Sequence, residues 1–148
     1  MIDVINSLMP IVLLITLIIA SIFDVFKKQT IPLSIGFTSL FIRGFHMIIF
    51  DRGSMKECFY CALSLFCLFM IGAILGSFGG ADSIYVSLCG FYLGLNGVYS
   101  VLLACFLSFP YAVLLKKRHK DGKIESAEFP FIPYLMLGVT VIIAERLM

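Results

Sequence analysis

Long apolar runs separated by short polar interruptions make up the whole chain, and this pattern predicts six transmembrane helices. A helix needs about 20 mostly apolar residues to cross the hydrocarbon core of a bilayer. On that basis the predicted spans are residues 8–26, 31–50, 57–77, 82–95, 97–115 and 130–146. The expected fold is therefore all-α, a bundle of about six transmembrane helices in a single membrane-embedded domain over residues 1–148.

Composition supports this interpretation. Of the 148 residues, 61% are hydrophobic and 14% are charged, and the mean hydropathy is +1.07. A soluble domain is about half apolar and about one quarter charged. A net charge of +2, without basic runs interleaved with aromatic residues, gives no indication of nucleic-acid binding. The first apolar run has no basic segment before it and no small-residue cleavage site, so we expect a retained span rather than a signal peptide.

Basic residues in the predicted connections indicate the orientation, because Lys and Arg are retained on the cytoplasmic side of a membrane. One side receives Arg52, Lys56 and Arg146, and the other receives Lys27, Lys28, Lys116, Lys117, Arg118, Lys120 and Lys123. The second side is predicted to be cytoplasmic in the plasma membrane, which leaves both termini outside. The same topology brings Asp24, at the end of the first span, and Asp82, at the start of the fourth, to the cytoplasmic face.

Small residues predict where helices pack closely. Gly72, Gly76 and Gly80 recur at every fourth position along the third span. The fourth span has a similar row, formed by Ser83, Ser87, Gly90 and Gly94. Because small residues at helical spacing let backbones approach in lipid, the third and fourth spans are expected to pack tightly against each other.

The two aspartates are the candidate functional residues, since an ionisable side chain in a membrane segment marks a functional site by default. Structural roles are the alternative for each. Asp82 follows two glycines and could be a helix N-cap. Asp24 could form a solvated ion pair with Lys27 or Lys28, although a helix C-terminus disfavours its charge.

Other polar residues within the spans have simpler explanations. Arg43 and His46 fall in the outer half of the second span, and we expect them to extend to the membrane interface. Cys58 and Cys61 form a CxxC pattern, but one such pair without a nearby His makes a poor zinc site. The cysteines are expected to pack as small apolar residues, and whether this pair has another role stays open.

Three motifs, in order along nearly the whole chain, resemble those of the type IV prepilin peptidases, a family of GxGD-type aspartic membrane proteases. They are Asp24 followed by Ile31-Pro32, then Gly79-Gly80-Ala81-Asp82, and then residues 129–135, Phe-Pro-Phe-Ile-Pro-Tyr-Leu. The resemblance implies that Asp24 and Asp82 are a catalytic pair that needs no metal or cofactor. It also implies that the substrates are pilin-like precursors, whose leaders are removed at the cytoplasmic face.

The chain departs from the family pattern at several positions. Ala81 stands where the family usually has Gly, and that methyl group is expected to fit if the backbone there is not left-handed. Three further positions differ from the family's usual residues: Leu33, Ile84 and Ile132. We expect these differences to affect substrate preference more than the chemistry. The cysteine-rich segment associated with N-methylation in larger members has no counterpart here, so we expect the peptidase core alone.

Three other functions compete with this one. A small transporter or accessory subunit could use paired aspartates for ion handling or assembly, although no matched halves with broken helices are visible. An intramembrane protease that cuts within its substrate's helix would need deeper aspartates. A catalytically inactive relative could act as a scaffold.

The orientation is directly testable in the basic segment between the last two spans. A cysteine introduced at Gly122, in a background without the native cysteines, should resist impermeant thiol reagents in intact cells and react after permeabilisation. Labelling of intact cells would invert the topology and would place both aspartates on the outer face.

Overall fold

The computed structural model describes residues 2–27, 32–75, 79–120 and 130–147, and within these ranges it contains six α-helices and no strand. The helices are α1 (Ile2–Lys27), α2 (Leu33–Phe50), α3 (Met55–Ile74), α4 (Gly80–Leu93), α5 (Leu95–Lys120) and α6 (Ile132–Leu147). The predicted fold class is confirmed: the protein is an all-α membrane bundle.

Four of the described helices are long and apolar enough to cross a membrane. These spans are Leu8–Phe26, Leu33–Phe50, Met55–Ile74 and Leu95–Leu115, and their limits differ from the predicted ones by at most three residues. The predicted fourth and sixth spans correspond to the shorter helices α4 and α6, of 14 and 16 residues. At 1.5 Å per residue these helices are about 21 and 24 Å long, less than the roughly 30 Å of a hydrocarbon core.

The short helix α4 lies at the centre of the bundle. It contacts each of the other five helices, and ten of its fourteen residues are buried. A helix that is covered all round needs side chains without free charge on every face. Three of its polar residues are hydrogen bonded locally or across to α2: Ser87 donates to the carbonyl of Ile84 at 2.8 Å, Tyr85 to that of Pro32 and Tyr92 to that of Ser39.

Two glycines explain how α4 fits between its neighbours. A Cβ atom at Gly90 would lie 2.8 Å from backbone atoms of Cys61 and Ala62 in α3, so the predicted close packing of these helices is confirmed. Gly94 has a φ of 59°, in the region that favours glycine, and lets α5 begin at the next residue. Of the row predicted for the third span, Gly76 lies outside the described residues, and Gly80 is not in that span, because α3 ends at Ile74 and Gly80 is the first residue of α4.

Gly90→Ala should destabilise the protein because its methyl group would overlap the backbone of α3. We expect a loss of about 1–3 kcal/mol in the free energy of unfolding, as for other overpacked interiors. Gly44→Ala is the matched control, since a Cβ atom there would meet no other atom within 4 Å. Denaturant unfolding in detergent measures both, and equal stability of the two variants would contradict the close approach.

Candidate active site at the ends of three helices

Asp82 lies in the first turn of α4 and closes that turn with its own side chain. Its Oδ2 accepts a hydrogen bond from the backbone N–H of Gly79 at 3.0 Å, and its backbone N–H donates to the Gly79 carbonyl at 3.1 Å. Gly79 is the N-cap residue and Asp82 the third helical residue, so the capping role of the structural alternative is present, with the Asp82 carboxyl accepting from within the first turn. The side chain is only 6% exposed.

The residues before Asp82 differ in how they constrain it. A Cβ atom at Gly79 would lie 3.2 Å from the Asp82 Oδ2, whereas one at Gly80 would meet no atom within 4 Å. Ala81 lies within the helix, in a right-handed backbone, so the expectation that its methyl group fits is confirmed. The glycine that keeps the Asp82 carboxyl free of steric pressure is therefore Gly79.

Asp24 lies in the last turn of α1 and reaches the start of α6. Its half-buried Oδ2 accepts a hydrogen bond from the backbone N–H of Ile132 at 3.1 Å. A carboxylate is stabilised at a helix N-terminus, where unpaired N–H groups carry partial positive charge. The N-terminus of α6 therefore offsets the unfavourable position of Asp24 at the C-terminal end of α1. The suggested pairing with Lys27 or Lys28 involves side chains outside the described part of the chain.

The two carboxyls lie at the same end of the bundle. Asp24 is in the last turn of α1, and α2 begins six residues after α1 ends, at the point where Tyr85 ties α4 to Pro32. Asp24 belongs to α1, Asp82 to α4, and the donor to Asp24 belongs to α6. Three segments distant in sequence thus contribute polar groups to one end of the bundle.

The start of α2 is tied to the same site by Tyr85, one turn beyond Asp82. The Tyr85 hydroxyl donates to the carbonyl of Pro32 at 3.0 Å, and its ring packs on Gly36, where a Cβ atom would lie 3.7 Å away. The Pro32 of the first motif is therefore held against the helix that carries Asp82. Ile31 lies outside the described residues.

The third motif contributes packing as well as the donor to Asp24. Phe131 is completely buried, and its ring lies 5.6 Å from that of Phe69 in α3. This contact anchors the segment that enters α6, so the N–H of Ile132 is presented from a fixed position. Phe129, the first residue of the motif, lies outside the described residues.

A second polar cluster occupies the opposite end of α2 and α4, and it corrects the prediction for Arg43 and His46. These side chains do not extend to the interface, since they are only 6% and 4% exposed. Arg43 donates to His46 Nδ1 at 2.9 Å, to Asp51 Oδ2 at 3.4 Å and to the carbonyl of Phe91 at 3.5 Å. The prediction of exposed side chains was wrong because the fold supplies a partly exposed acidic partner at the end of α2 and a carbonyl in α4.

The cysteines show no sign of shared chemistry. All five are free thiols, and Cys58 and Cys61 are buried in α3. Within the described residues, no group of three or more His, Cys, Asp and Glu side chains could hold a metal ion. Cys58 and Cys61 therefore pack as small apolar residues within α3.

Sequence reasoning did not find three contacts of this site: the Ile132 donor, the Tyr85–Pro32 hydrogen bond and the Phe131–Phe69 packing. The Ile132 donor could have been suspected from the sequence, because Pro130 and Pro133 flank a position where a helix can begin. Comparison with protein-family models, with curated proteins and with solved structures finds no match to this chain.

Tyr85→Phe should loosen α2 from α4 by removing the hydroxyl that bonds to Pro32. The loss of one hydrogen bond of this kind is expected to cost about 0.5–1.5 kcal/mol in the free energy of unfolding. Tyr99→Phe is the control because Tyr99 is 60% exposed. If Tyr85→Phe is no less stable than this control in detergent unfolding, the contact does not hold the start of α2.

Proposed function

We propose that the protein is an aspartic endopeptidase that removes the leader of type IV pilin-like precursors at the cytoplasmic face of the plasma membrane. The observation that supports this most is that Asp24 and Asp82, which come from different helices, lie at one end of the bundle. The contacts of Pro32 and Ile132 with the same site add support, because both belong to the motifs that resemble the prepilin peptidases.

The proposed chemistry needs two carboxyls in different protonation states. One carboxylate takes a proton from a water molecule, which attacks the scissile carbonyl, while the other carboxyl donates a hydrogen bond to the carbonyl oxygen. A pair of interacting carboxyls shares one proton and titrates as a unit, as in other aspartic proteases. The backbone hydrogen bonds to Asp24 and Asp82 hold one oxygen of each side chain, and in the proposed reaction the second oxygen of each would face water and substrate.

A transporter remains the second candidate because one observation favours it. Hydroxyl groups continue the polar interior beyond the aspartates: Thr16 donates to Ser39 at 3.1 Å, and Ser39 hydrogen bonds to the Tyr92 hydroxyl at 2.9 Å. Such chains can relay protons in membrane proteins. Against this function, both aspartates lie at helix ends, whereas ion sites in transporters lie near the middle of the bilayer.

Asp24→Asn and Asp82→Asn should each abolish leader removal while the protein stays in the membrane. The amide oxygen can still accept the backbone hydrogen bond from Ile132 or Gly79, but the amide cannot exchange a proton with water. We expect processing to fall by at least about 100- to 10,000-fold, the usual contribution of a general acid or base. The measurement is the mobility shift of a pilin-like precursor from the same genome, co-expressed with each variant.

Glu145→Gln provides the control, since this exposed carboxyl lies near the far end of α6. The Glu145→Gln variant should process the precursor as fast as the unchanged protein does. Near-normal processing by either aspartate variant would refute the peptidase and favour the transporter or scaffold.

A further inference from the structure

The polar cluster at the end of the bundle opposite the aspartates has no part in the proposed reaction, and it joins α2 to α4. From its position on α2, the Arg43 side chain reaches the Phe91 carbonyl of α4 at 3.5 Å and lies 5.8 Å from the centre of the Tyr92 ring. Its shortest hydrogen bond is to His46 Nδ1, at 2.9 Å, compared with 3.4 Å to Asp51. His46 is therefore the closest support of the side chain that holds the end of α2.

His46 can support Arg43 only as a neutral ring. A guanidinium has donors and no acceptor, so Nδ1 must accept from Arg43. Within the described part of the chain Nε2 has no hydrogen-bond partner, and His46 is only 4% exposed. A protonated ring would have a donor on each nitrogen and would place a second positive charge 2.9 Å from an Arg43 nitrogen. The protonated ring is therefore incompatible with this arrangement.

The other ionisable groups around the ring are already hydrogen bonded, uncharged or basic. The Asp51 carboxylate is paired with Arg43. Of the helices packed against α2, α1 has only apolar described side chains at this end, and α4 presents Tyr92, whose hydroxyl donates to the Ser39 carbonyl. At the start of α3, Glu57 accepts the N–H that begins α5. The remaining ionisable side chains that follow α2 are Arg52, Lys56 and the thiol of Cys58.

We propose that His46 is a pH-sensitive latch for α2. While the ring is neutral, Arg43 holds the end of α2 to α4. When Nδ1 takes up a proton, Arg43 loses its closest acceptor and the last turns of α2 separate from α4. The start of α2 stays in place, because Tyr85 holds Pro32 there. With the orientation that the basic residues predict, the released end faces the outside of the cell, so the latch would respond to acid outside.

The latch predicts a loss of stability in acid that one substitution removes. A free imidazole takes up a proton near pH 6.5, whereas the folded protein must leave Nδ1 unprotonated to keep the Arg43 bond. Because the unfolded state then binds more protons, the unfolding equilibrium constant should rise about tenfold as the pH falls from about 7.5 to about 5.5. His46→Asn should abolish this rise, since its amide oxygen can accept from Arg43 but does not take up a proton.

His119→Asn is the matched control, because the protein has two histidines, and it should keep the tenfold rise. Both variants retain every carboxyl, so a contribution of Asp24 and Asp82 to the pH dependence is the same in each. Denaturant unfolding in detergent at the two pH values measures the difference. The same pH dependence in His46→Asn as in His119→Asn would overturn the latch.

Hydrogen exchange of the unchanged protein gives a second test, which needs no variant to fold. After correction for the intrinsic effect of pH on exchange, the amides of residues 47–51 at the end of α2 should exchange about tenfold faster at about pH 5.5 than at about pH 7.5. The amides at the end of α6, residues 143–147, are the internal control and should keep their protection. No change in α2, or an equal change in both segments, would show that acid does not release this end of α2.

Discussion

The short helix α4 is the element on which the rest of the structure depends, because it contacts each of the other five helices. At about 21 Å it is shorter than the roughly 30 Å of a hydrocarbon core. At its start, Asp82 accepts the Gly79 N–H. At its end, the Gly94 N–H donates to the Gly90 carbonyl at 2.9 Å. The Leu95 N–H, the first of α5, donates to the Glu57 carboxylate at 3.4 Å. Acidic side chains therefore meet the N-termini of α4 and α5, where unpaired N–H groups need acceptors.

The same reasoning extends to α6, the other short helix. Its first N–H groups also need a partner, and Asp24 supplies one at Ile132. Each aspartate thus meets the N-terminus of a short helix, which stabilises a negative charge through aligned peptide dipoles. Because the two N-termini lie at one end of the bundle, satisfying them brings two carboxyls to that end. The arrangement that completes the fold is therefore also the one that creates the acidic site.

Hydropathy was sufficient to predict the helices, since Leu8–Phe26 and the three other long spans follow directly from apolar length. The small-residue row of Gly90 also predicted the contact of α4 with α3. The site was predictable only as far as its two aspartates. The partner of Asp24 is 108 residues away. It is a backbone N–H group, and a sequence does not show which backbone groups will pair with a side chain. In the sequence, Tyr85 is one of several aromatic residues in an apolar run. Its hydrogen bond to Pro32 could not be predicted because it depends on how α2 and α4 pack against each other.

Arg43 shows why a polar residue in a span cannot be assigned from its depth alone. A long basic side chain can reach the interface, or it can stay inside if the fold supplies a counter-charge, and Asp51 with the Phe91 carbonyl does so here. A guanidinium has only donors, so His46 Nδ1 must accept from it, which assigns the proton of a neutral imidazole to Nε2. Polar clusters at both ends of α2 thus face the interior. The hydroxyls of Ser34 and Thr38 are the exception on this helix because they face outward, between the two clusters and beside the aspartate end. Thr38 satisfies its own donor by bonding to the Ser34 carbonyl at 2.8 Å, so it can face outward without a partner in either cluster.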